Sequence, residues 1–217
     1  MSGKKNATAK PAKRKTYRHG DLRRALLEAG MELAREGGPD AVVLREATRR
    51  AGVAPNAAYR HYANREELLQ AVRSAALSQL AVAIESELAR LSGKKSTEFA
   101  RASLRAVGNG YLKFALSQPG LFRTAFSVPD RLRGAPVPEK AGHSGLNPFQ
   151  LLGVALDRLT VAGLLLKQHR LGAEYLAWSA VHGLAMLIID GPLRTLSRSE
   201  RQMVGQRLLD MVEKGLS

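Results

Sequence analysis

Apolar side chains in most of this 217-residue chain recur every three or four positions, which is the spacing of one face of an α-helix. In the first periodic segment, Leu22, Leu26, Ala29 and Leu33 follow this rule. The strict alternation that is typical of strands is scarce, and good helix formers such as Ala, Leu, Arg and Glu dominate the composition. The pattern therefore predicts an all-α fold.

Glycine, proline and N-capping residues divide this pattern into nine predicted helices. Their expected bounds are 21–35, 44–51, 55–62, 65–91, 97–117, 121–126, 148–169, 172–190 and 197–214. Asn64 is the expected cap of the fourth helix, with Glu67 three residues later as in a capping box. Residues 128–147, which are rich in Pro and Gly, are expected to form a long loop.

Much of the net charge of +15 lies at the beginning of the chain, where residues 1–18 contain seven Lys or Arg and no acidic residue. Such an excess favours an anionic partner, with nucleic acid as the first candidate, although a solvated tail has the same composition. We expect a disordered basic tail over residues 1–17, a helix-turn-helix DNA-binding domain over 18–64, and a helical regulatory and dimerisation domain over 65–217. Whether the tail itself contacts DNA stays open at this point.

The chain contains no cysteine, which excludes disulfides, thiolate zinc sites and cysteine nucleophiles. No His, Asp or Glu spacing is typical of a metal site, so neither a metal nor a cofactor is expected. Nucleophile elbows, phosphate-binding loops and paired catalytic carboxylates are absent from the sequence, so we do not expect an enzyme. The most apolar stretch, residues 175–189, is shorter than the ~20 residues of a membrane span. With no signal peptide visible, we expect a cytoplasmic, nucleoid-associated bacterial protein without membrane contact.

Two short helices separated by a glycine turn are predicted between residues 44 and 62, an arrangement that many DNA-reading proteins share. Gly52 suits the tight turn because glycine tolerates unusual backbone dihedrals. Ala47 and Ala51 are small enough for the two helices to approach closely, and Val53 is expected to fill the core beneath the turn. Helix pairs of this kind also occur in proteins that never bind DNA, so the spacing alone does not decide the function.

The second of these short helices is predicted to have an inward and an outward side. Ala58 and Tyr62, four positions apart, are expected to face the core. The outward rows are formed by Asn56 with Arg60 and by Ala57 with His61. An amide can read adenine, a guanidinium can read guanine or bind a phosphate, and a methyl group can contact thymine. This face therefore suits the major groove of DNA.

Backbone phosphates are the expected partners of other side chains near this helix. Tyr59 and His61 can donate to phosphate oxygens, which set the register of a protein on DNA. Arg45 begins the first short helix, where it could reach the DNA backbone. Arg65 lies in the first turn of the following helix, where its charge opposes the helix dipole, and this placement favours a phosphate nearby.

Residues 24–72 resemble the tetracycline repressor (TetR) family of transcriptional regulators. The resemblance is carried by the runs Ala51-Gly52-Val53, Ala58-Tyr59-Arg60-His61-Tyr62 and Asn64-Arg65-Glu66-Glu67-Leu68-Leu69. It implies a three-helix N-terminal domain on a larger helical ligand domain. It also implies homodimers that bind palindromic operators in double-stranded DNA, usually as repressors that a small-molecule effector releases.

The resemblance also assigns roles to individual positions. Pro55, Asn56, Ala57, Tyr59, Arg60 and His61 match the recognition helix, and Arg65 and Arg45 match basic contacts to the DNA backbone. Ala47 stands where a larger aliphatic residue is usual and Thr48 where Ala is usual, which bears on the local packing. In the C-terminal half, residues 111–122 and 178–183 more loosely resemble the branch with a Trp/His-Gly ("WHG") C-terminal domain.

The C-terminal helices predict a bundle that could enclose a ligand. The candidate pocket residues are Tyr111, Phe114, Phe122, Phe126, Trp178 and His182. At helical spacing, aromatic residues are more often ordinary core, and a histidine in an apolar helix more often has a structural partner than a ligand. Gly108 and Gly110, inside a predicted helix, indicate either room for a ligand or close helix packing, with packing slightly favoured.

The last two predicted helices carry more apolar surface than one subunit is expected to expose. The resemblance implies that they pair with their copies in a four-helix dimer interface, and burial within one subunit is the alternative. The candidate interface residues are Tyr175, Met186, Ile189, Met203, Leu208 and Met211.

The sequence thus favours a dimeric, ligand-released repressor of transcription over two alternatives. A sequence-neutral DNA-coating protein would depend on residues 1–17 and hardly on Asn56 or Arg60. An enzyme is the weaker alternative, because no motif supports it.

Overall fold

The computed structural model describes residues 22–92, 96–128 and 137–216, and these ranges contain nine α-helices and no strand. The helices are α1 (Leu22–Gly37), α2 (Leu44–Ala51), α3 (Pro55–Ala58), α4 (Arg65–Leu88), α5 (Thr97–Ser117), α6 (Pro119–Ala125), α7 (Pro148–Val161), α8 (Ala173–Ile189) and α9 (Arg198–Gly215). Short 3-10 helices occupy Pro39–Ala41, Pro138–Lys140, Lys167–His169 and Pro192–Thr195. The predicted all-α fold is confirmed. The predicted basic tail, residues 1–17, lies outside the described residues.

Helix α1 packs against α2, α3 and the beginning of α4 and forms a core with them. Leu26 of α1 and Leu68 and Val72 of α4 are fully buried. A Cβ atom on Gly30 would lie 2.7 Å from Cγ2 of Val72, so the absence of a side chain lets α1 approach α4 closely. The predicted boundary after residue 64 therefore falls at the start of a helix whose first turns belong to the N-terminal core.

The long helix α4 begins where the capping pattern predicts. The side chain of Asn64 accepts a hydrogen bond from the backbone N–H of Glu67 at 2.9 Å. The carboxylate of Glu67 accepts from the backbone N–H of Ala63 at 2.7 Å, one residue earlier than in a standard capping box. From this start α4 continues for 24 residues into the C-terminal bundle, where it packs against α5, α6 and α7.

Helix α5 lies at the centre of the C-terminal bundle, in contact with α4, α6, α7, α8 and α9. A Cβ atom on Gly110 would lie 2.6 Å from the Cα of Ile84, so the close approach of the α5 and α4 backbones explains this glycine. A Cβ atom on Gly108 would collide with the side chain of Leu209 in α9. Close helix packing, the interpretation favoured from the sequence, therefore accounts for both positions.

The prediction that the seventh helix continues to residue 169 is wrong. Helix α7 ends at Val161, and Gly163 then adopts a left-handed conformation with φ of 72°. The backbone N–H of Leu164 donates to the carbonyl of Leu159 at 2.9 Å, so the chain turns back. This turn places Leu165, which is 1% exposed, in the core. The apolar run continues through the turn, which is why periodicity alone extends the helix.

Smaller differences affect the ends of other elements. Helix α4 ends at Leu88 rather than at residue 91, and α6 begins at Pro119, whose fixed φ suits the first helical position. Of the predicted loop 128–147, the described residues 137–147 contain one 3-10 helix followed by a turn.

Helices α8 and α9 form one side of the bundle. Along α8 the buried residues are Ala173, Glu174, Ala177, Val181, Leu184, Ala185 and Ile188. Helix α9 buries only Gly205 and Leu209 and leaves most of its surface exposed or half-buried. Although α8 is strongly apolar, none of the helices in the described ranges has the length and apolar character that crossing a membrane requires.

Candidate nucleic-acid interface and interior cavity

The turn between α2 and α3 is built as the glycine predicts. Gly52 lies in the left-handed region, with φ of 66° and ψ of 30°, and ends α2. Its N–H donates to the carbonyl of Arg49 at 3.2 Å, and the N–H of Val53 donates to that of Thr48 at 3.1 Å. The hydroxyl of buried Thr48 donates to the carbonyl of Arg45 at 2.6 Å, so the unusual residue at this position is satisfied within α2.

Helix α3 is shorter than predicted, and its inward side is as predicted. Regular helix ends at Ala58, and residues 59–61 continue as a turn in which the N–H of His61 donates to the Ala58 carbonyl at 2.9 Å. Ala58 and Tyr62 are 0% and 1% exposed. The guanidinium carbon of Arg23 lies 5.2 Å from the centroid of the Tyr62 ring, which anchors this turn on α1.

The opposite side of this segment is open to solvent. Pro55, Asn56, Tyr59 and Arg60 are exposed, and Ala57 and His61 are half-buried. Tyr59 has 58% of its surface exposed, although tyrosine is of intermediate burial in most proteins. The six positions assigned to the recognition helix thus share one accessible segment, although His61 and Ala57 are partly covered.

Arginines near this surface differ in what they contact. Arg50 of α2 bonds through two nitrogens to the carboxylate of Glu36 in α1, at 2.7 and 2.6 Å. Arg49 bonds to Glu46 at 2.9 and 2.6 Å, and this contact, together with that of Arg50, lowers the pKa of Glu46 to about 2. These ion pairs neutralise the middle of α2 and leave its beginning, at Arg45, as the basic part.

Among the described residues of α2 and the recognition segment, Arg45 and Arg60 remain available to an anion. Both are exposed, and neither guanidinium has an acidic partner or a hydrogen bond among the described residues. Arg65 differs, because its Nη2 donates to the carbonyl of Pro39 at 2.8 Å and its Nη1 lies 2.9 Å from the carboxylate of Glu66. The position of Arg65 in the first turn of α4 is therefore explained without a phosphate, since it ties α4 to the connection between α1 and α2.

The C-terminal bundle contains a cavity of about 110 Å³ between α4, α5, α7, α8 and α9. Its wall is mostly apolar, with residues from all five helices, from the end of α6 and from the segment 137–147. The lining residues are Leu77, Ile84, Leu104, Arg105, Val107, Gly108, Tyr111, Ala125, Phe126, Lys140, Asn147, Pro148, Phe149, Leu152, Ala177, Trp178, Val181, Leu209 and Val212.

A hydrogen-bonded triad of side chains stands at one end of this wall. Nε1 of Trp178 donates to Oη of Tyr111 at 3.0 Å, and Oη of Tyr111 lies 2.8 Å from Nδ1 of His182. The indole N–H donates to the tyrosine oxygen, and the same hydroxyl shares a second hydrogen bond with Nδ1 of His182. Burial raises the pKa of Tyr111 and lowers that of His182, which keeps both side chains neutral near pH 7.

Two family models match the sequence. Residues 26–72 match the model for bacterial regulatory proteins of the tetR family. Residues 104–212, half of the chain, match the tetracyclin repressor-like C-terminal domain. The chain belongs to the tetracycline repressor family. As a TetR-family member it is a DNA-binding transcriptional regulator and not an enzyme. The resemblance to the WHG branch stays a prediction.

Solved structures share the fold of this TetR-family regulator. A protein of unknown function from Rhodococcus sp. RHA1 is 25% identical, with a TM-score of 0.71 over 93% of this chain and 98% of that chain. TetR from Acinetobacter baumannii AYE is 17% identical, with a TM-score of 0.61 over 88% and 93% of the two chains. PfmR from Thermus thermophilus, a TetR-family regulator, is 19% identical, with a TM-score of 0.56 over 88% and 98%. No curated protein matches the sequence.

The six pocket residues expected from the sequence of this regulator fall into two groups. Tyr111, Phe126 and Trp178 line the cavity. Phe114, Phe122 and His182 do not. Phe122 is fully buried and packs edge-on against Tyr111, with ring centroids 5.5 Å apart, so it supports the wall from behind. His182 acts in the same way through the hydroxyl of Tyr111.

The sequence expectation missed one aromatic side chain of the wall. Phe149 lines the cavity and packs edge-on against Trp178, with ring centroids 6.4 Å apart. It lies in the first turn of α7, behind a capping box in which Asn147 accepts from the backbone N–H of Gln150 at 2.9 Å. The pattern Asn-Pro-Phe-Gln is a helix-start signal, and it could have shown that this aromatic residue stands at a defined position.

The candidate interface residues of this regulator lie on α8 and α9 with different exposure. Tyr175, Met203 and Met211 are 39%, 54% and 60% exposed. Met186, Ile189 and Leu208 are half-buried and pack against the core of their own subunit. Leu176 and Leu187, which the prediction omitted, are 66% and 44% exposed on α8. The two helices therefore carry an apolar outer surface that one subunit does not cover.

Proposed function

We propose that this regulator is a homodimeric repressor that a small-molecule ligand releases from a palindromic operator. One observation carries the proposal: helix α4 belongs to both halves of the molecule. Leu68 and Val72 near its start are buried in the core of the DNA-binding unit, and Leu77 and Ile84 further along line the cavity. A ligand that prefers one position of α4 would therefore also change the position of the DNA-binding unit.

Base reading is assigned to the exposed side of the recognition segment. Asn56 offers an amide for adenine, Arg60 a guanidinium for guanine, and Ala57 a methyl group for thymine. Pro55, Tyr59 and His61 border these side chains, and the last two can donate to phosphates. Arg45 is the best phosphate contact, because its guanidinium is exposed and without an acidic partner in the described ranges. Arg65 is a weaker one, since two of its donors are already engaged.

Dimerisation is assigned to the outer surface of α8 and α9. Exposed apolar patches of this kind mark protein–protein contacts, and a two-fold axis through the patch would pair each helix with its copy. A dimer would set two recognition segments one turn of DNA apart, about 34–36 Å, which is why the operator is expected to be palindromic.

A second connection between the cavity and the DNA-binding unit supports release by a ligand. Helix α6 contributes Ala125 to the cavity wall, and the following residue Phe126 lines it too. At the other end of α6, a Cβ atom on Gly120 would collide with the carbonyl oxygen of Ala34 in α1, so the two backbones touch. A ligand that displaces the end of α6 would therefore press on α1 as well as on α4.

The DNA assignment is tested by gel shifts with the regulator's own upstream DNA and a scrambled duplex at physiological salt. We expect Arg60→Ala to reduce the preference for the operator, because a base contact is lost. Arg45→Ala should weaken binding to both duplexes equally. It should also reduce the slope of log affinity against log salt concentration by about one, because a phosphate contact is lost. Arg90→Ala is the control, since Arg90 is exposed just beyond the far end of α4 and its loss removes the same charge.

Two results would contradict the assignment. The first is a wild-type protein that binds the scrambled duplex as tightly as the operator. The second is loss of binding on deletion of residues 1–17 while Arg60→Ala has no effect. That pattern would instead support a sequence-neutral DNA-coating protein.

The dimer is tested by light scattering coupled to size-exclusion chromatography. Leu176→Glu places a charge on the exposed face of α8 and should shift the mass from dimer to monomer. Val161→Glu is the control, because Val161 is 90% exposed at the end of α7 and outside the α8–α9 surface. A wild-type monomer, or a Leu176→Glu variant that stays dimeric, would refute the assigned interface.

A further inference from the structure

We infer that the cavity binds a small, uncharged molecule built around one aromatic ring. The inference rests on the proposed ligand-released function and names the chemical class of the effector. Three features carry it, which are the ion pairs of the arginines beside the cavity, the partners of the other polar side chains of the wall, and the size of the cavity.

The two arginines beside the cavity are paired with carboxylates of α9. Arg105 of α5 lines the wall, and its Nη1 contacts the carboxylates of Asp210 and Glu213 in α9. Arg101, one turn earlier, lies 2.5 Å from the other oxygen of Glu213. These two arginines therefore face two carboxylates. A carboxylate or an ammonium group on the ligand would have to compete with an existing ion pair while losing its own hydration.

The other polar side chains of the wall each have at least one partner already. The Tyr111 hydroxyl is hydrogen-bonded to both Trp178 and His182, so a ligand would have to compete with two existing partners for it. The side-chain oxygen of Asn147 accepts from the backbone N–H of Gln150. Lys140, on the 3-10 helix of residues 138–140, has an interaction partner of its own. A ligand that needed several hydrogen bonds would find few groups ready to make them.

The size of the cavity limits the guest to about one ring. The cavity measures about 110 Å³, which is less than the dry apolar cavity of about 150 Å³ that holds benzene in another protein, so it leaves no room for a larger ring system. Phe126, Phe149 and Trp178 border the space, and the ring centroids of Phe126 and Phe149 lie 6.0 and 6.4 Å from that of Trp178. Aromatic side chains at these separations offer both faces and edges, which suits an aromatic guest.

The position of Trp178 supplies a direct assay, because it is the only tryptophan of the chain and lines the cavity. The full-length protein is titrated with toluene, benzoate and benzylamine, which share a ring and differ in charge. We expect toluene to change the tryptophan emission and to bind at least about tenfold more tightly than either charged probe. Equal or tighter binding of benzoate or benzylamine would overturn the inference, and so would no response to any probe in fluorescence and in thermal shift.

A cavity-filling variant tests whether toluene binds in this cavity. Ala177→Leu extends a side chain from α8 into the space and should abolish the toluene response, whereas Leu171→Ala, at a residue 84% exposed, should leave it intact. If circular dichroism shows that Ala177→Leu does not fold, Phe149→Ala serves instead. It should weaken the binding of toluene at least about threefold, because it removes a side chain that contacts the cavity. Toluene binding that survives in the folded variant would refute the location.

The operator gel shift separates this inference from the proposed function. Toluene that binds in the cavity but leaves the operator complex intact would contradict release by a ligand and keep the inference about the cavity. A charged compound that releases the operator and displaces toluene would keep the proposed function and overturn the inference about the effector class.

Discussion

Replacement of Tyr111 by Phe removes the one oxygen that joins Trp178 and His182. The hydroxyl is buried, with Tyr111 4% exposed, and it takes part in hydrogen bonds of 3.0 and 2.8 Å. The variant keeps the ring and its packing but leaves the indole N–H and Nδ1 of His182 without their partner. A buried polar group without a partner costs about 1–3 kcal/mol. Trp178 and His182 are half-buried, so we expect the low end of this range for each, or about 2–3 kcal/mol in total.

The assay is unfolding by urea, followed by circular dichroism, with thermal unfolding as a second measurement. For a chain of this size the expected loss lowers the melting temperature by about 4–12 °C. Tyr62→Phe is the matched control, because the Tyr62 hydroxyl is also buried but makes a single long bond of 3.4 Å to the carbonyl of Arg23. We expect it to cost about 1 kcal/mol or less. If Tyr111→Phe is no more destabilising than Tyr62→Phe, the triad does not stabilise the cavity wall as argued.

Three further outcomes follow from the packing. Gly110→Ala should destabilise the fold by about 1–3 kcal/mol in the urea assay, because the new Cβ would lie 2.6 Å from the α4 backbone. Gly153→Ala is the control. Its nearest contact is 3.5 Å away, so it should be neutral or stabilising by up to ~1 kcal/mol. Equal effects would show that the helices can move apart freely. Gly120→Ala should also cost about 1–3 kcal/mol and weaken operator binding, because α1 must shift away from α6 at Ala34, and a variant with wild-type stability and affinity would refute that contact. Burial lowers the pKa of His182 below its ordinary 6.5, so its stabilising contribution is complete above that value and is lost as the pH falls through the lowered pKa. Between about pH 7 and pH 5 the wild type should lose more stability than His182→Asn, which keeps an acceptor but cannot titrate, and parallel pH profiles would exclude His182 as the cause.

Local signals in the sequence determined much of the DNA-binding unit. The glycine at position 52 predicted a tight turn, and Asn64 predicted the start of α4, since each depends on the backbone preferences of a few neighbouring residues. The four-residue spacing of Ala58 and Tyr62 predicted which side of the recognition segment is buried. Such features could be inferred because the information lies within one or two helical turns.

Tertiary structure decided the features that depend on residues distant in the chain. Helix α7 ends at Val161, and the turn at Gly163 places Leu165 in the core, although the apolar pattern continues past it. Arg65 is held by the carbonyl of Pro39, a contact across 26 positions that the helix-dipole argument cannot anticipate. Phe149 lines the cavity while Phe122 stands behind its wall, and both are aromatic residues at helical spacing. Periodicity shows that a side chain faces inward, but what it meets there is decided by the helices that pack against it.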